Sequence, residues 1–162
     1  MARRVFFSFH YQNDIWRVNV IRNAHIVEGT SAAGFHDASL WEEAKRRGDE
    51  AVKRLIDRGL EGTSVTAVLI GAETANRAYV KYEIDKSLER GNGLLGIYIH
   101  NIKDRNGLTC PQGSNPFDRL YRERNGQRVY LSTEYRTYDW VSDSGYRNLG
   151  SWVESAAVKV GL

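Results

Sequence analysis

Apolar residues in this chain form short continuous runs that alternate with longer stretches of helical repeat. Runs at residues 5–9, 64–71 and 94–100 are rich in branched and aromatic side chains, which predicts strands covered on both faces. The stretches between these runs have apolar residues at spacings of three and four, as amphipathic helices do. Alternating strands and helices predict an α/β fold with a parallel sheet and helices on both faces.

Local start and stop signals place four helices along the chain. Serine, threonine, asparagine and aspartate favour the position that caps a helix start, and glycine favours the position after a helix end. The predicted helices are one capped by Asn13 or Asp14, one that begins at Ser39 and ends at Gly59 or Gly62, one from about 76 to 90 capped by Thr74 and ended by Gly91, and a closing one marked by Trp152, Val153, Ala156 and Val160.

The segment 101–127 shows no periodicity and contains both prolines, Pro111 and Pro116. It is longer than the roughly 12 to 15 residues of a passive connection, so we expect a long irregular loop. Such a loop is either a lid over a binding site or a surface decoration. A last strand is expected at 129–131 or near 138–141, and a short additional strand at about 25–28.

Length and composition predict one soluble domain spanning residues 1–162. The chain has a mass of 18.5 kDa, with 41% apolar and 27% charged residues, as in ordinary globular proteins. No apolar run reaches the roughly 18 residues of a membrane span, and the single cysteine, Cys110, excludes a disulfide within the chain. These features predict a cytoplasmic protein with no membrane partner.

Charge and standard motifs exclude several functions. The net charge of +3 comes from basic residues that are scattered among 20 carboxylates, which disfavours a nucleic-acid-binding face. The run Gly91-Asn92-Gly93-Leu94-Leu95-Gly96 matches a dinucleotide-binding pattern, but it follows a predicted helix and opens a strand, the reverse of that motif. We interpret it as a helix stop and a turn. The four histidines lack metal-ligand spacing, so no metal site is predicted.

One acidic residue combines suitable chemistry with a suitable position. In the predicted helix 76–90, Val80, Ile84 and Leu88 form the inward stripe, and Glu83 lies about 100° from its centre, at the edge of burial. Tyr79 is one turn earlier on the same side. This helix follows a central strand, and ligands bind at the carboxyl ends of such strands. The alternative is a solvated glutamate that pairs with a lysine.

Several segments resemble a known family. They are RVFFSFHY (4–11), WRVNVIRN (16–23), ETANRAYVKYE (73–83), GIYIHN (96–101), YDWV (138–141) and NLGSW (148–152). These segments are similar to those of the TIR-like proteins of bacterial Thoeris anti-phage systems. The resemblance implies a flavodoxin-like (TIR-like) three-layer sandwich with a central, mainly parallel sheet of about five strands.

The resemblance also implies an activity and a site. Members of this family cleave NAD⁺, release nicotinamide and form a cyclic ADP-ribose isomer that activates a separate effector. Enzymatic TIR domains place a tryptophan four residues before the catalytic glutamate, which implies Glu83 as catalytic residue with Tyr79 in the aromatic position. Phe9, His10 and Tyr79 are then expected to line the substrate site. NAD⁺ is the substrate, and no cofactor or metal is implied.

Two further expectations depend on the same resemblance. Cyclisation requires a pocket that excludes water, and the segments available to cover it are 101–127 and the loop around 35–39. Many TIR domains act by self-association, so the alternative to an enzyme is a non-enzymatic TIR-type interaction module. The pairing of Glu83 with an aromatic residue favours the enzyme.

Overall fold

The computed structural model describes residues 3–24, 28–30 and 38–162, with the backbone alone at 28–30 and 38–39. The strands are β1 (Arg4–Ser8), β2 (Glu28–Thr30), β3 (Val65–Ile70), β4 (Gly93–Tyr98), β5 (Tyr121–Arg124), β6 (Gln127–Tyr130) and β7 (Thr137–Asp139). The helices are α1 (Tyr11–Arg22), α2 (Ala38–Arg47), α3 (Asp49–Leu60), α4 (Ala78–Arg90), α5 (Leu131–Glu134) and α6 (Gly145–Lys159).

A five-stranded, fully parallel sheet forms the centre of the fold, in the order β2-β1-β3-β4-β7. This is the strand order of flavodoxin-like folds. The predicted α/β class and flavodoxin-like sheet of about five strands are therefore confirmed. The strand order reverses between β1 and β3, and in such sheets the ligand crevice lies outside the carboxyl ends at this point.

Helices cover both faces of the sheet. On one face α1 and α6 pack against alternate residues of β1, β3 and β4, in a cluster that includes Phe7, Phe9 and Leu95. On the other face, Phe6 of β1 packs with α2 and α3, and the even-numbered residues of β3 pack with α4. Because successive side chains of a strand point to opposite faces, Ser8 lies on the side of α2, α3 and α4, as Phe6 does.

Three helix boundaries differ from the sequence prediction. α1 begins about one turn earlier than expected, because His10 rather than Asn13 or Asp14 is its N-cap. The predicted helix 39–59 is broken into α2 and α3 by Gly48, whose φ of 112° is accessible to glycine and disfavoured for other residues. Thr74 begins a short 3₁₀ turn, and α4 starts only at Ala78.

The segment 101–127 contains regular structure, contrary to the prediction of a long irregular loop. Its last part forms β5, which pairs with β6 in an antiparallel hairpin. The hairpin turn is Asn125-Gly126, with φ values of 53° and 77°, and this dipeptide is a strong hairpin signal that the sequence analysis did not use. Residues 127–130 therefore belong to the hairpin, and the last strand of the central sheet is β7.

The first part of this segment is held against the carboxyl edge of the sheet by Arg17, a buried residue of α1. The Arg17 guanidinium donates to the backbone oxygens of Ile102 (2.7 Å) and Leu108 (2.9 Å), and lies 3.9 Å from the Asp104 carboxylate. Further along, Gly113 packs directly on the backbone oxygen of Gly71, where a Cβ atom would overlap that oxygen. The segment is thus anchored over the end of β3.

The remaining sequence expectations concern turns and membrane association. Gly91 ends α4 in the left-handed conformation, which confirms the predicted helix stop, whereas Gly93 and Gly96 belong to the strand β4 and not to a turn. The expected strand at 25–28 is represented by β2, while 25–27 lie outside the described residues. No helix in the part of the chain that the structure describes is long and apolar enough to span a bilayer.

Gly71 is expected to tolerate no side chain. It follows β3, its Cα faces the Asp14 carboxylate, and its backbone oxygen is covered by Gly113. Gly71→Ala should therefore lower the free energy of unfolding by about 2 kcal/mol, as overpacking of a confined site does. Chemical denaturation of Gly71→Ala, of Asp14→Ala and of the double variant measures the energetic coupling between the two positions. Equal losses from Gly71→Ala in both backgrounds would contradict a clash with Asp14.

Candidate active site

Glu83 lies in the second turn of α4 and points toward the end of β1. It is 1% exposed. The sequence analysis placed it at the edge of burial, which is wrong: α4 packs on the sheet and also against α3, so its buried face is wider than a single stripe. The α3 contacts come from Tyr79 and Tyr82, which belong to the α2–α3 cluster.

The carboxyl group of Glu83 is buried opposite the hydroxyl of Ser8, the last residue of β1. Burial raises the pKa of Glu83 to about 8, and the Ser8 hydroxyl acts in the opposite direction. Neither Glu83 Oε2 nor Ser8 Oγ has a partner with hydrogen-bond geometry among the described residues. A carboxyl group with a perturbed pKa at the crevice of a parallel sheet is a candidate for catalysis.

Tyr79 precedes Glu83 by one turn and packs against the neighbouring helices. Its ring meets Trp41 of α2 edge to face, with 5.8 Å between the ring centroids. Its hydroxyl donates to Asp49 of α3 at 2.9 Å, and burial together with this bond raises the pKa of Tyr79. The ring therefore forms part of an aromatic wall with Trp41 and Tyr11, whose centroids lie 6.4 Å apart.

His10 lies at the carboxyl end of β1, two residues beyond Ser8. It is 7% exposed and caps α1, because its Nδ1 accepts from the Asn13 amide at 3.4 Å. Burial lowers the pKa of His10, and the positive charges of Arg77 and Lys45 lower it further. The Glu73 carboxylate acts in the opposite direction, and the net lowering of the pKa favours the neutral imidazole at this end of β1.

Phe9 does not face Glu83. It is 3% exposed and packs in the cluster on the α1–α6 side of the sheet, opposite the side on which Ser8 and Glu83 lie. The structure thus places Glu83 and Tyr79 on one helix and His10 nearby at the strand end. It separates Phe9 from Glu83 by the thickness of the sheet, because adjacent residues of a strand alternate in direction.

A second buried carboxyl group lies at the same edge of the sheet. Asp14 of α1 is 2% exposed and contacts Gly71, and its Oδ2 has no hydrogen-bond partner among the described residues. Burial raises the pKa of Asp14 to about 6, against the opposing effects of Arg17 and Thr74. Within the same described part of the chain, no three His, Cys, Asp or Glu side chains converge as metal ligands would.

Two buried polar residues near this edge of the sheet, Ser8 and Arg17, were not predicted from the sequence. Ser8 is the one polar residue in the run Phe6-Phe7-Ser8-Phe9, and a lone hydroxyl in a buried strand is a signal that could have been used. Arg17 carried no comparable signal, because arginine in a helix is ordinarily solvated. Only the packing of the 101–115 segment reveals that its guanidinium is buried.

Substitutions can separate the capping function of His10 from its predicted contact with the substrate. Losing the cap by His10→Ala should lower the free energy of unfolding by about 1 kcal/mol, whereas His10→Asn retains a capping side chain and should restore most of that stability. If the imidazole also contacts the substrate, both variants will raise the Michaelis constant for NAD⁺ about tenfold. Steady-state kinetics and thermal melts measure the two effects. A normal Michaelis constant in His10→Asn would leave capping as the function of His10.

Comparison with known proteins identifies the family of this chain. Residues 6–104, more than half of the chain, match the family described as Thoeris protein ThsB, TIR-like domain. A protein of Bacillus cereus (strain MSX-D12) named "Putative cyclic ADP-D-ribose synthase ThsB1" is 46% identical over 191 aligned positions, which cover 94% of this chain and 100% of that protein. With its five-stranded parallel sheet and the buried Glu83 on α4, this chain belongs to the ThsB TIR-like family of the Thoeris system.

Proposed function

We propose that this protein is an enzyme that cleaves the bond between nicotinamide and ribose in NAD⁺ and closes the remaining ADP-ribose into a cyclic isomer. Membership of the ThsB family and the name of the Bacillus cereus relative support this reaction. The observation that carries the proposal is the buried carboxyl group of Glu83 at the crevice of the sheet, with a pKa of about 8.

Glu83 is suited to the bond-breaking step. Nicotinamide is a cationic pyridinium in NAD⁺ and leaves as a neutral molecule, so its departure needs no proton. One carboxylate is then sufficient, in contrast to the pair that ordinary glycosidases use. As the bond breaks, positive charge develops on the ribose, and an ionised Glu83 stabilises that charge more than the ground state. The substrate's own positive charge favours ionisation of Glu83 in the complex.

The rim of the crevice is suited to the phosphates of NAD⁺. Arg77 precedes α4, and Lys45 lies one turn after Trp41 on α2. Both act on His10 electrostatically, and neither forms an ion pair with a carboxylate of the described residues within 4.0 Å. Two cations near His10 that have no carboxylate partner within the described ranges favour a pyrophosphate over a neutral ligand.

Cyclisation requires that a hydroxyl of the adenosine ribose reach the reactive carbon before water does. Its proton leaves to Glu83 or to solvent as the new bond forms. A folded substrate in a dry pocket supplies an effective concentration of roughly 10⁵ M or more for well-oriented groups. The segment anchored by Arg17 covers the end of β3 and is our candidate for the wall that excludes water. The other candidate, the loop around 35–39, has residues 35–37 outside the described part of the chain.

The proposal includes the setting of the reaction. The cyclic product would act on a separate effector protein, and self-association of the chain is compatible with this role. NAD⁺ is a cytoplasmic metabolite, so we place the enzyme in the cytoplasm. Because Glu83 is 1% exposed, NAD⁺ reaches the carboxyl group only after side chains at the crevice move.

The experiment that tests this function is incubation of the purified protein with NAD⁺, followed by chromatography for nicotinamide and for cyclic and linear ADP-ribose. The incubation is repeated with extract from phage-infected bacteria, which supplies any activating component. We expect nicotinamide and a cyclic product in equal amounts. If no NAD⁺ is consumed in either condition, the protein is a non-enzymatic interaction module instead.

A further inference from the structure

Ser8 is an unusual residue in its surroundings. It ends a strand of otherwise large apolar side chains, it is 0% exposed, and its Oγ has no hydrogen-bond partner among the described residues. A buried hydroxyl without a partner destabilises a fold by about 1 to 3 kcal/mol. An alanine at this position would avoid that loss, so the hydroxyl calls for a functional explanation.

The other hydroxyls on this side of the sheet bind each other. Thr66 of β3 and Ser87 of α4 are 2.7 Å apart, and Ser87 Oγ also donates to the backbone oxygen of Glu83 at 2.7 Å. They are therefore not available to Ser8. The polar group that faces Ser8 is the Glu83 carboxyl, which likewise has an oxygen without a partner.

Among the residues that the structure describes, no charged group takes the place of Ser8 as a partner for Glu83. Of the elements that pack on α4, the strands β1, β3 and β4 and the 3₁₀ turn Thr74–Asn76 present uncharged side chains to it. The acids of α3 that approach α4 are Asp49 and Asp57, and they accept hydrogen bonds from the hydroxyls of Tyr79 and Tyr82 at 2.9 Å each. Burial raises the pKa of Glu83, and Ser8 is the described side chain that lowers it.

We propose that Ser8 is a positioning residue, whose hydroxyl donates to the Glu83 carboxylate when that group ionises and holds it toward the substrate. This inference rests on the proposed function, and it adds that Ser8 helps to set the pH range in which the enzyme works. While Glu83 is protonated, a hydrogen bond between the two groups joins neutral partners and is the weaker one. When Glu83 loses its proton to solvent, Ser8 supplies a charge-assisted hydrogen bond to the buried carboxylate.

The substitutions Ser8→Thr and Ser8→Val form a matched pair, because threonine and valine have the same shape and differ only in the hydroxyl. In Ser8→Val, the midpoint of the acid limb of kcat/KM against pH should rise by about one unit relative to Ser8→Thr, which lowers kcat/KM at pH 7 about tenfold. Ser8→Ala should behave as the valine variant does. Ser87→Ala removes a buried hydroxyl from the same helix turn without touching the carboxyl group, and its midpoint should equal that of the parent.

A titration by NMR of ¹³C-labelled glutamate carboxyl groups provides a readout that needs no turnover. The Glu83 signal is identified by its loss in Glu83→Gln, and its pKa should be higher in Ser8→Val than in Ser8→Thr. Equal pKa values in this pair, or an equal shift in Ser87→Ala, would overturn the inference. Absence of NAD⁺ turnover in the parental protein would instead overturn the proposed function, and the titration would still decide whether Ser8 controls Glu83.

Discussion

Glu83→Gln is expected to lower NAD⁺ turnover by at least about 10³-fold, because the neutral amide cannot stabilise the positive charge that develops on the ribose. The side chain keeps its volume, and the fold should remain intact. Nicotinamide release, measured by chromatography, gives the activity. The control is Glu89→Gln, which changes an exposed glutamate on the same helix and should retain parental turnover. Parental turnover in Glu83→Gln would exclude Glu83 as the catalytic residue.

The same substitution should stabilise the protein at alkaline pH. The pKa of Glu83 is raised from 4.5 to about 8 by folding, so the folded state holds a proton that the unfolded state releases. Below pH 4.5 the parental protein keeps the stability that comes from the neutral carboxyl group, and it loses this stability as the pH rises through 8. At pH 8 the loss is about 4 kcal/mol, and glutamine avoids it.

Thermal melts at pH 4.5 and pH 8 measure this difference. The melting temperature of Glu83→Gln relative to the parent should increase with pH, while Glu89→Gln should show no such increase. A gain of stability together with a loss of turnover would identify Glu83 as a group retained for its chemistry at the expense of the fold. An unchanged difference between the two pH values would contradict the raised pKa.

Arg17→Met is expected to change the product of the reaction. The substitution removes the donors to the backbone oxygens of Ile102 and Leu108, which leaves both without this partner and lowers the free energy of unfolding by about 3 kcal/mol. If the segment 101–115 excludes water, its release should shift the products from cyclic to linear ADP-ribose. Nicotinamide release should persist, since that step depends on Glu83.

The measurement is the ratio of cyclic to linear product at equal NAD⁺ consumption. Arg90→Met provides the control, because Arg90 is an exposed arginine at the end of α4. Reactions are run at a temperature at which the Arg17 variant is still folded. An unchanged ratio in the folded variant would show that this segment does not exclude water, and the loop around 35–39 would become the candidate.

How far the site could be predicted depended on where its residues stand in the chain. Glu83 could be proposed as a site residue because it lies on a helix with a clear apolar stripe, one turn after Tyr79, and within a segment that resembles a known family. Its complete burial could not be predicted, since the helical repeat describes one packed face and α3 covers a second. Phe9 was assigned to the site by resemblance, and strand alternation places it on the far side of the sheet from Glu83.

Local information in the sequence determined the secondary structure and the class of fold. Continuous apolar runs such as 64–71 indicate buried parallel strands, because a strand covered on both faces has no side chains exposed to solvent. Gly91 ended a helix because its left-handed conformation is readily available only to glycine. Such signals depend on a few neighbouring residues, so they can be recognised from the sequence alone.

Tertiary structure decided the chemistry of the crevice. Ser8 and Glu83 are 75 positions apart in the chain, and Arg17 is separated from its acceptor Ile102 by 85. Whether such groups meet depends on strand order and helix packing, which no local pattern contains. The raised pKa values of Glu83 and Asp14 follow from the same packing, because burial is a property of the assembled sheet and its helices and not of the residue or its neighbours in sequence.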